Sequence, residues 1–553
     1  MIFCYLIVLF GITQSYNIDI DTPYLLRGQS NENFGFSVAL HNYNGEGKLL
    51  VSAPKATTSQ PGVDRGGAVY SCPIPSSLDT PRSPVSCSSQ VTAFDDTGNK
   101  YLSIDNGNPE MNADGSFKYN YDNKGYLQEN KTDQWMGISL KSSGDFAVAC
   151  AHLYVRVAHN YRKQTYDTQP IGKCSLLPGS LTGPPTIYRP CWGDQSSGYE
   201  FYSCQAGSSV DIAGDDLLFG GPGARSWEGR AYVSQDFTKS ETKTTNVHDA
   251  GGIVGQWFTG YATVICDVNG DGVKDYIVTG PRADNYKGQV FIYNVVGSGM
   301  PKKKTIDGSQ IGEYFGHTVD CGDVNGDGHD DIIIGAPYYS RDTSGHARLQ
   351  STGRVYVYYG SKELYVLDTP TIIEATTKES THFGHAIKVV GDMNKDGYKD
   401  VLVSAPFDAS GIVYLYLGSA KGLETEFSQS IRPENLAVST SMNTFGWSLD
   451  GDVDMDSNSY PDILIGTLDS YAVYLRSLPI IDLSAQIVID PSTPIDTENE
   501  SLKVDVPNNP VYQAVSANMK LCFTYISGMF FPLIICATLF LFNFFMFCDL
   551  CVA

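Results

Sequence analysis

Four acidic stretches of nine residues recur along the second half of this 553-residue chain. They read DVNGDGVKD from Asp267, DVNGDGHDD from Asp323, DMNKDGYKD from Asp392 and DMDSNSYPD from Asp454. Their starts are 56, 69 and 62 residues apart, and periods of this size are typical of solenoids, propellers and arrays. The first constraint on the chain is therefore a fold built from repeated units.

Each acidic stretch lies within a longer repeated frame. An aromatic-glycine signal precedes it, as in Phe315-Gly316-His317, and a Gly-Pro or Ala-Pro turn follows three of the four. A second apolar run comes next, as in GQVFIYN, GRVYVYYG and GIVYLYLG. These runs alternate with period two and are rich in Val and Tyr, which predicts β-strands.

The same frame recurs upstream without the acidic stretch, from Phe34, Trp135 and Ser208. Seven units of short strands without helical spacing favour blades of about four strands around an axis. The sequence therefore predicts an all-β chain, with a seven-bladed β-propeller over residues 16–478.

The acidic stretches have the ligand pattern of calcium loops. Positions 1, 3, 5 and 9 carry oxygen side chains, and position 7 can offer its carbonyl. An all-protein site with this set of oxygen ligands favours Ca²⁺ over Mg²⁺. An EF-hand would also need Glu at position 12, where Val278, Ile334, Val403 and Ile465 stand instead. A solvated acidic turn would explain one copy, whereas four copies in register predict four structural calcium ions. The predicted ligands are Asp267, Asn269, Asp271, Val273 and Asp275; Asp323, Asn325, Asp327, His329 and Asp331; Asp392, Asn394, Asp396, Tyr398 and Asp400; and Asp454, Asp456, Asn458, Tyr460 and Asp462.

Composition and motifs exclude other functions. The formal net charge is −23 and no basic run is present, which argues against nucleic-acid binding. The nine His residues show no zinc spacing, and neither a nucleophile elbow nor a Gly-rich phosphate loop occurs. The sequence therefore predicts a binding protein rather than an enzyme.

The N-terminus and the cysteines indicate a secreted chain. Residues 1–15 resemble a signal peptide, with a buried strand as the alternative. Sequons begin at Asn130 and Asn499. Three cysteine pairs are spaced closely enough for local disulfides, although six cysteines allow 15 pairings: Cys72 with Cys87, Cys150 with Cys174, and Cys191 with Cys204.

Cys266 and Cys321 are predicted to stay reduced. They lie one and two residues before their acidic stretches, so on equivalent strands their side chains would point to opposite faces. A disulfide between them would count against the predicted register of the blades.

An FG-GAP repeat in seven copies, with calcium loops in the last four, resembles the β-propeller of an integrin α subunit. The resemblance covers about residues 16–528 and includes DQWMG at 133–137, CAHLY at 150–154 and RSLPII at 476–481. It implies a β subunit as partner, which inserts a basic side chain into an aromatic rim. By their place at the blade starts, Phe36, Trp135, Tyr261 and Trp447 fit this rim, with packing between blades as the alternative.

The resemblance also implies a ligand class. About 50 residues separate the second and third units, too few for an inserted von Willebrand-type domain. The motifs CAHLY and IGKC and the loop between Cys191 and Cys204 are similar to the laminin-receptor class. The RGD-binding class usually has an Asp where this chain has Tyr199. Tyr199 and Trp227 are therefore expected to face an extracellular-matrix ligand such as laminin.

The resemblance ends before the C-terminus. Residues 479–528 are similar to the start of the family's next β-sandwich, residues 529–548 are hydrophobic and uncharged, and residues 549–553 form a short tail. Twenty such residues suffice to span a bilayer. The segment can be read as the anchor of a cell-surface protein, as a lipid-anchor signal or as a gene-model artefact. A soluble decoy head and an enzyme that carries FG-GAP repeats are the alternative functions.

Overall fold

The computed structural model describes most of the predicted propeller. The described ranges are 17–74, 84–95, 97–102, 104–105, 108–109, 112, 118–120, 126–160, 165–191, 203–237, 243–247, 257–294, 301–341, 350–376, 379–438, 441–468 and 470–479, and strands within 482–552. The chain divides into two compact units, Met1–Ser477 and Leu478–Ala553.

The first unit contains seven sheets that correspond to the seven sequence units, and their pairing is antiparallel except where Val85–Ser86 pairs in parallel with Tyr24–Arg27. We call them blades 1 to 7 and label their strands A to D outwards from the inner strand. Blade 1 contains Val38–Tyr43, Glu46–Ala53 and Ala68–Pro73, with Ser89 to Val91 hydrogen-bonded alongside. Blade 2 contains Ser139–Ser142, Phe146–Ala151, Lys173–Pro178 and Thr186–Tyr188, and blade 3 contains Ser209–Ala213, Asp216–Gly221, Arg230–Gln235 and Lys243–Val247.

The remaining four blades have the same order of strands. Blade 4 contains Thr263–Cys266, Asp275–Gly280, Gln289–Asn294 and Lys302–Asp307, and blade 5 contains Thr318–Gly322, Asp331–Ala336, Arg354–Tyr358 and Thr371–Glu374. Blade 6 contains Ile387–Gly391, Asp400–Ala405, Ile412–Tyr416 and Gln429–Ile431. Blade 7 contains Ser448–Val453, Asp462–Gly466 and Tyr471–Leu475, followed by Tyr24–Arg27 and Val85–Ser86.

The blades form a closed ring. Each inner strand A lies against the strands A of the two neighbouring blades, and that of blade 7 lies against that of blade 1. The N-terminal strand Tyr24–Arg27 completes blade 7 by pairing with Tyr471–Leu475, Leu25 opposite Val473. These contacts confirm the predicted all-β, seven-bladed β-propeller.

The repeated glycines form the joints between blades. A Cβ on Gly335, the penultimate residue of strand B of blade 5, would lie 2.2 Å from the carbonyl oxygen of Gly384 at the start of blade 6. Gly466 and Gly35 meet at the same distance where blade 7 joins blade 1. Only residues without a side chain allow this approach. The strands B are buried on both faces, so their sequences are continuous apolar runs rather than alternating ones.

Helices and other strands are short. Among the described residues, Ala224–Trp227 and Ala283–Tyr286 are single turns with left-handed residues at their centres, and Thr92–Phe94 and Pro433–Asn435 are 3₁₀ turns. Outside the blades, short strands span Tyr101–Leu102, Ile104–Asp105, Asn108–Pro109, Tyr119–Asn120, Tyr126–Leu127, Glu129–Asn130, Val155–Asn160, Thr165–Pro170, Gly360–Ser361 and Tyr365–Val366.

Four disulfides are present among the described residues. The three local pairs predicted from spacing are joined: Cys72–Cys87, Cys150–Cys174 and Cys191–Cys204. The fourth joins Cys266 to Cys321, so the prediction that both stay reduced was wrong. The register itself does differ by one residue, because Asp275 pairs with Cys266 whereas Asp331 pairs with Gly322. The error lay in the geometry: neighbouring blades pack face to face, so side chains on opposite faces of equivalent strands are those that meet.

The second unit contains one four-stranded and one two-stranded sheet. The first has the order Asp482–Asp490, Asn518–Ser527, Phe530–Phe542 and Phe545–Val552, and the second pairs Lys503–Asp505 with Gln513–Val515. The hydrophobic segment 529–548, expected as a possible membrane span, thus contributes two strands rich in aromatic and β-branched residues. None of the helices in the described part of the chain has the length and apolar character needed to cross a membrane.

Candidate metal centres and the upper-face cup

The acidic stretches form the turns between strands A and B of blades 4 to 7. Position 1 immediately follows the last residue of strand A, and position 9 is the first residue of strand B. The position-9 residues Asp275, Asp331, Asp400 and Asp462 are fully buried, whereas three of the position-5 residues are exposed and the fourth, Asn458, is half-buried. Each loop therefore presents one buried and several accessible oxygen side chains. We call this end of the propeller its lower face.

The loop of blade 5 shows how the backbone orients the carboxylates. Asp323 accepts hydrogen bonds from the backbone N–H groups of Asp327 at 3.2 Å and Gly328 at 2.9 Å. Asp331 accepts from the N–H groups of Val324 at 3.0 Å and Gly360 at 2.8 Å. The position-1 and position-9 carboxylates are thereby both turned into the loop.

The other three loops repeat this geometry. The position-1 carboxylate accepts from the N–H groups of positions 5 and 6 at 2.8–3.2 Å in each of them. The position-9 carboxylate accepts from the N–H of position 2 at 2.8–3.1 Å. In blade 7 the carboxylate oxygens of Asp454, Asp456 and Asp462 lie within 4.8 Å of one another, as metal ligands do.

The raised pKa values of the buried position-9 carboxyl groups indicate that the loops need a cation. Burial raises the pKa of Asp275, Asp331 and Asp400 to about 7 and that of Asp462 to about 6. Neighbouring carboxylates of the same loop add to the rise in each case. A bound divalent cation would offset both the burial and the repulsion. The residues present therefore fit an oxygen-coordinated divalent cation.

Two supporting features of the loops escaped sequence reasoning. The apolar residue at position 2 is buried in every loop, and its N–H fixes the position-9 carboxylate: Val268, Val324, Met393 and Met455. Asn294 and Tyr474 each donate a hydrogen bond at 2.8 Å to the buried carboxylates of blades 4 and 7. The recurrence of an apolar residue at position 2 was the signal that could have found the first of these.

The four predicted rim residues lie at the opposite, upper end of the inner strands. The ring centroids of Phe36 and Trp135 are 6.0 Å apart, and those of Phe36 and Trp447 are 5.7 Å apart. Tyr261 reaches this group only through two histidines. Its ring lies 5.5 Å from His317, which lies 4.9 Å from His385, which in turn lies 4.6 Å from Trp447.

We call these six residues the upper-face cup. His317 and His385 were missed as site residues, although both occupy the position after Phe-Gly where other blades carry an aromatic residue. Burial lowers the pKa of His317 to about 4 and that of His385 well below its usual value. Both imidazoles are therefore neutral at pH 7 and extend the aromatic surface. All six side chains are only half-buried, so packing between blades does not use them completely.

Of the remaining predicted site residues, the structure describes two and does not describe the other two. Trp227 lies at the end of the turn after strand B of blade 3, also at the upper face, 5.4 Å from the ring of Phe258. Asn130 is partly exposed, and its side-chain oxygen accepts a hydrogen bond from the N–H of Thr132 at 2.9 Å. Tyr199 and Asn499 lie outside the described residues.

The family models that match this chain agree with a fold built from repeated units. Models described as FG-GAP repeat match residues 315–358 and 383–416, and one described as FG-GAP-like repeat matches residues 267–334. One solved structure, titled "Structure of Dos1 propeller", aligns with a TM-score of 0.41 and 9% identity over 82% of this chain and 95% of that chain. The fold and the repeated loops define the class of protein as a seven-bladed β-propeller of FG-GAP repeats.

The curated relatives that match this chain are integrin α subunits. The chain is 32% identical to integrin alpha-V of Gallus gallus over 88% of its own length and 45% of the relative, and 30% identical to integrin alpha-8 of Homo sapiens over 89% and 44%. Identity to integrin alpha-6 of Gallus gallus is 31% over 94% and 46%. The chain is a homologue of integrin α subunits. It spans about half the length of the curated relatives that it matches.

Proposed function

We propose that the chain forms the α-subunit head of a heterodimeric cell-adhesion receptor. The homology to integrin α subunits supports this function. The upper-face cup is the observation that carries it, because it groups partly exposed aromatic and neutral imidazole rings on one face. An aromatic face attracts a cation by about 0.5–2 kcal/mol per contact. The expected occupant is a basic side chain of a β subunit.

We assign calcium to the four lower-face loops. The ligand sets are rich in carboxylate and amide oxygens, and the apolar residue at position 12 leaves each loop to be closed by its own position-9 Asp. An all-protein oxygen cage of this kind suits Ca²⁺ better than Mg²⁺. The ions have a structural role in this proposal, since they neutralise the carboxylates that join strands A and B.

The ligand of the assembled pair is proposed to be a matrix protein such as laminin. The support is the similarity of CAHLY, IGKC and the loop between Cys191 and Cys204 to the laminin-receptor class. Identities of 30–32% to three named subunits do not choose between ligand classes. Trp227 at the upper face is a candidate ligand contact, and Tyr199 is a second one from sequence.

An extracellular location follows from the same proposal. The signal-like segment 1–15, the disulfides and the sequon at Asn130 support export of the head. Attachment through residues 529–548, or release if that segment is absent from the natural protein, is decided by mass spectrometry of the natural C-terminus. No catalytic role is proposed, since the function requires only binding.

The test is co-expression with an integrin β-subunit head, followed by pull-down and by binding to laminin and to an RGD protein. Trp135→Ala and Trp447→Ala should weaken β capture, because each removes an aromatic face from the cup, and should leave the calcium content unchanged. Tyr199→Ala and Trp227→Ala should instead weaken laminin binding by the assembled pair. Tight laminin binding by the α head alone would contradict the shared site, and inhibition of the pair by an RGD peptide would contradict the ligand class.

A further inference from the structure

One disulfide in the described part of the chain joins the inner strands of two different blades. Cys266 ends strand A of blade 4 and Cys321 lies in strand A of blade 5, with their Cα atoms 6.4 Å apart. This separation lies within the usual range for a disulfide. The other three described disulfides each close a short segment of 13–24 residues. The Cys266–Cys321 bond therefore has a different role from local closure.

The bond adjoins two candidate metal loops that are in direct contact. Cys266 immediately precedes Asp267, which is position 1 of the blade 4 loop. The N–H of Asp267 donates to Asp330 Oδ2 at 3.0 Å, and the N–H of Asp330 donates to the carbonyl oxygen of Asp267, also at 3.0 Å. Asp330 stands between His329 and Asp331, positions 7 and 9 of the blade 5 loop. The bond thus fixes the segment that supplies ligands to both loops.

The next interface of the ring lacks such a bond and serves as an internal comparison. Ser419 donates to the carbonyl oxygen of Val324 at 3.2 Å, just as Ser361 donates to that of Val268 at 3.1 Å. The place of Cys266 is taken by Gly322, because both residues pair with the position-9 Asp of their blade. A Cβ on Gly322 would lie 2.9 Å from Val389 Cγ1. The same packing thus exists between blades 5 and 6 without a covalent link.

We propose that the Cys266–Cys321 disulfide is a redox-sensitive clamp that keeps the loops of blades 4 and 5 in register for divalent cations. A dithiol reductant opens it by thiol–disulfide exchange, in which the protein gains two thiols as the reductant becomes a disulfide. Cys321 is partly exposed, so a small dithiol can reach the bond. The clamp rests on the proposed metal sites and adds to them a dependence on redox state.

The effect should be confined to two of the four loops. Loss of an outer support of a metal site lowers affinity by about 10- to 100-fold, and we expect a loss near the lower end because the ligands themselves remain. The loops at 392–400 and 454–462 have no contact with the bond and should keep their affinity. A redox-dependent difference between neighbouring sites is the signature of the clamp.

The experiment is a calcium titration followed by hydrogen exchange and mass spectrometry of peptides that cover each loop. It compares the wild-type head with Cys266→Ser/Cys321→Ser and with wild-type head treated with dithiothreitol after folding, which covers the case in which the variant fails to fold. The calcium midpoints of loops 267–275 and 323–331 should rise about tenfold. The control Cys72→Ser/Cys87→Ser also lacks one disulfide and should leave all four midpoints unchanged.

Each other outcome counts against the clamp. Equal shifts in all four loops would indicate general destabilisation, and unchanged midpoints would show that the bond does not support the sites. Free thiols at Cys266 and Cys321 in the secreted protein would remove its basis. Absence of calcium-dependent protection in every loop would overturn the metal sites themselves, an outcome distinguishable from failure of the clamp alone.

Discussion

The three N-terminal blades and the four C-terminal blades close the hairpin between strands A and B in different ways. In blade 1 the turn is Asn44-Gly45, with φ of 54° and 79°, as in the tight turns that suit antiparallel strands. In blades 4 to 7 nine residues and several carboxylates take its place. The N-terminal blades instead contain the three local disulfides. The A–B hairpins of the N-terminal blades are thus closed by tight turns, with the local disulfides elsewhere in those blades, whereas those of the C-terminal blades are closed by loops that need a counter-charge.

This difference predicts that the stability of the two halves depends differently on bound metal. A tight Asn-Gly turn needs no ligand, so blades 1 to 3 should be insensitive to metal. The acidic loops concentrate negative charge beside buried carboxylates whose pKa is raised to about 6 or 7. Their strands should therefore depend on the concentration of free cation.

Removal of divalent cations should give the largest effect. If each loop is saturated at 100 times its Kd, its ion stabilises the head by about 2.7 kcal/mol, and four such ions by roughly 10 kcal/mol in total. With EDTA, the Tm should fall and amide exchange should accelerate in blades 4 to 7 more than in blades 1 to 3. Equal acceleration in all seven blades would erase the proposed distinction between the halves.

The buried charges of the N-terminal half should give the next largest effect. Asp95 accepts hydrogen bonds at 2.8 Å from Lys131 and Lys173, and all three side chains are nearly inaccessible. Asp95→Asn would leave the two buried ammonium groups with a single nearby carboxylate, Glu129 at 3.7 Å from Lys131, in place of two, at a cost of about 3–5 kcal/mol. Denaturant unfolding measures this cost, and Asp145→Asn, an exposed residue of blade 2, is the control.

The same residue should impose a pH dependence with a known sign. Burial opposes ionisation of Asp95, but Lys173 and Lys131 outweigh it and lower its pKa to about 2. Because the folded pKa lies below the unfolded value, the stabilisation is present above about pH 4 and is lost as the pH falls through 2. The stability difference between wild type and Asp95→Asn should therefore shrink between pH 4 and pH 2. A constant difference would show that the charge of Asp95 is not the cause.

How far the sequence predicted this architecture depends on the range of the interactions. The frame of the repeats and the positions of the acidic loops are local, and Asp323 to Asp331 could be read from nine consecutive residues. The pairing of Leu25 with Val473 joins residues about 450 positions apart, and no local pattern indicates it. The Cys266–Cys321 bond was missed for the same reason, since it depends on which faces of two blades meet in a closed ring.

The candidate sites show the same limit. The ligands at positions 1, 3, 5 and 9 can be predicted from the sequence because each ligand type recurs at a fixed spacing. The cup residues come from separate blades, and each has an alternative role in packing when it is considered alone. His317 and His385 were overlooked because their role depends on the rings beside them, Tyr261 and Trp447. Those rings come from other blades, so no local sequence pattern shows that they are neighbours.

A single loop ligand should produce a smaller effect than the buried charges. Asp327→Ala and Asp396→Ala each remove an exposed position-5 carboxylate, and with it one ligand and one charge. Each variant should bind one calcium ion fewer than wild type and lose about 2.7 kcal/mol at 100 times the Kd. Asp145→Ala, in the loop-free hairpin of blade 2, should keep the full count. Calorimetric titration that gives wild-type stoichiometry for both loop variants would refute the assignment of these carboxylates.

The smallest effect should come from the outer edge of the interface between blades 4 and 5. Lys304 and Asp368 form an ion pair there at 2.6 Å, but the Asp368 side chain is 78% exposed, and such pairs contribute about 0.2–1 kcal/mol. Asp368→Asn should therefore lower the free energy of unfolding by less than 1 kcal/mol, and 1 M salt should remove the difference from wild type. The same change in the Cys266→Ser/Cys321→Ser background completes a double-mutant cycle. A cost that grows when the disulfide is absent would show that the inner bond and the outer ion pair hold one interface together, whereas additive costs would show that the two edges act independently.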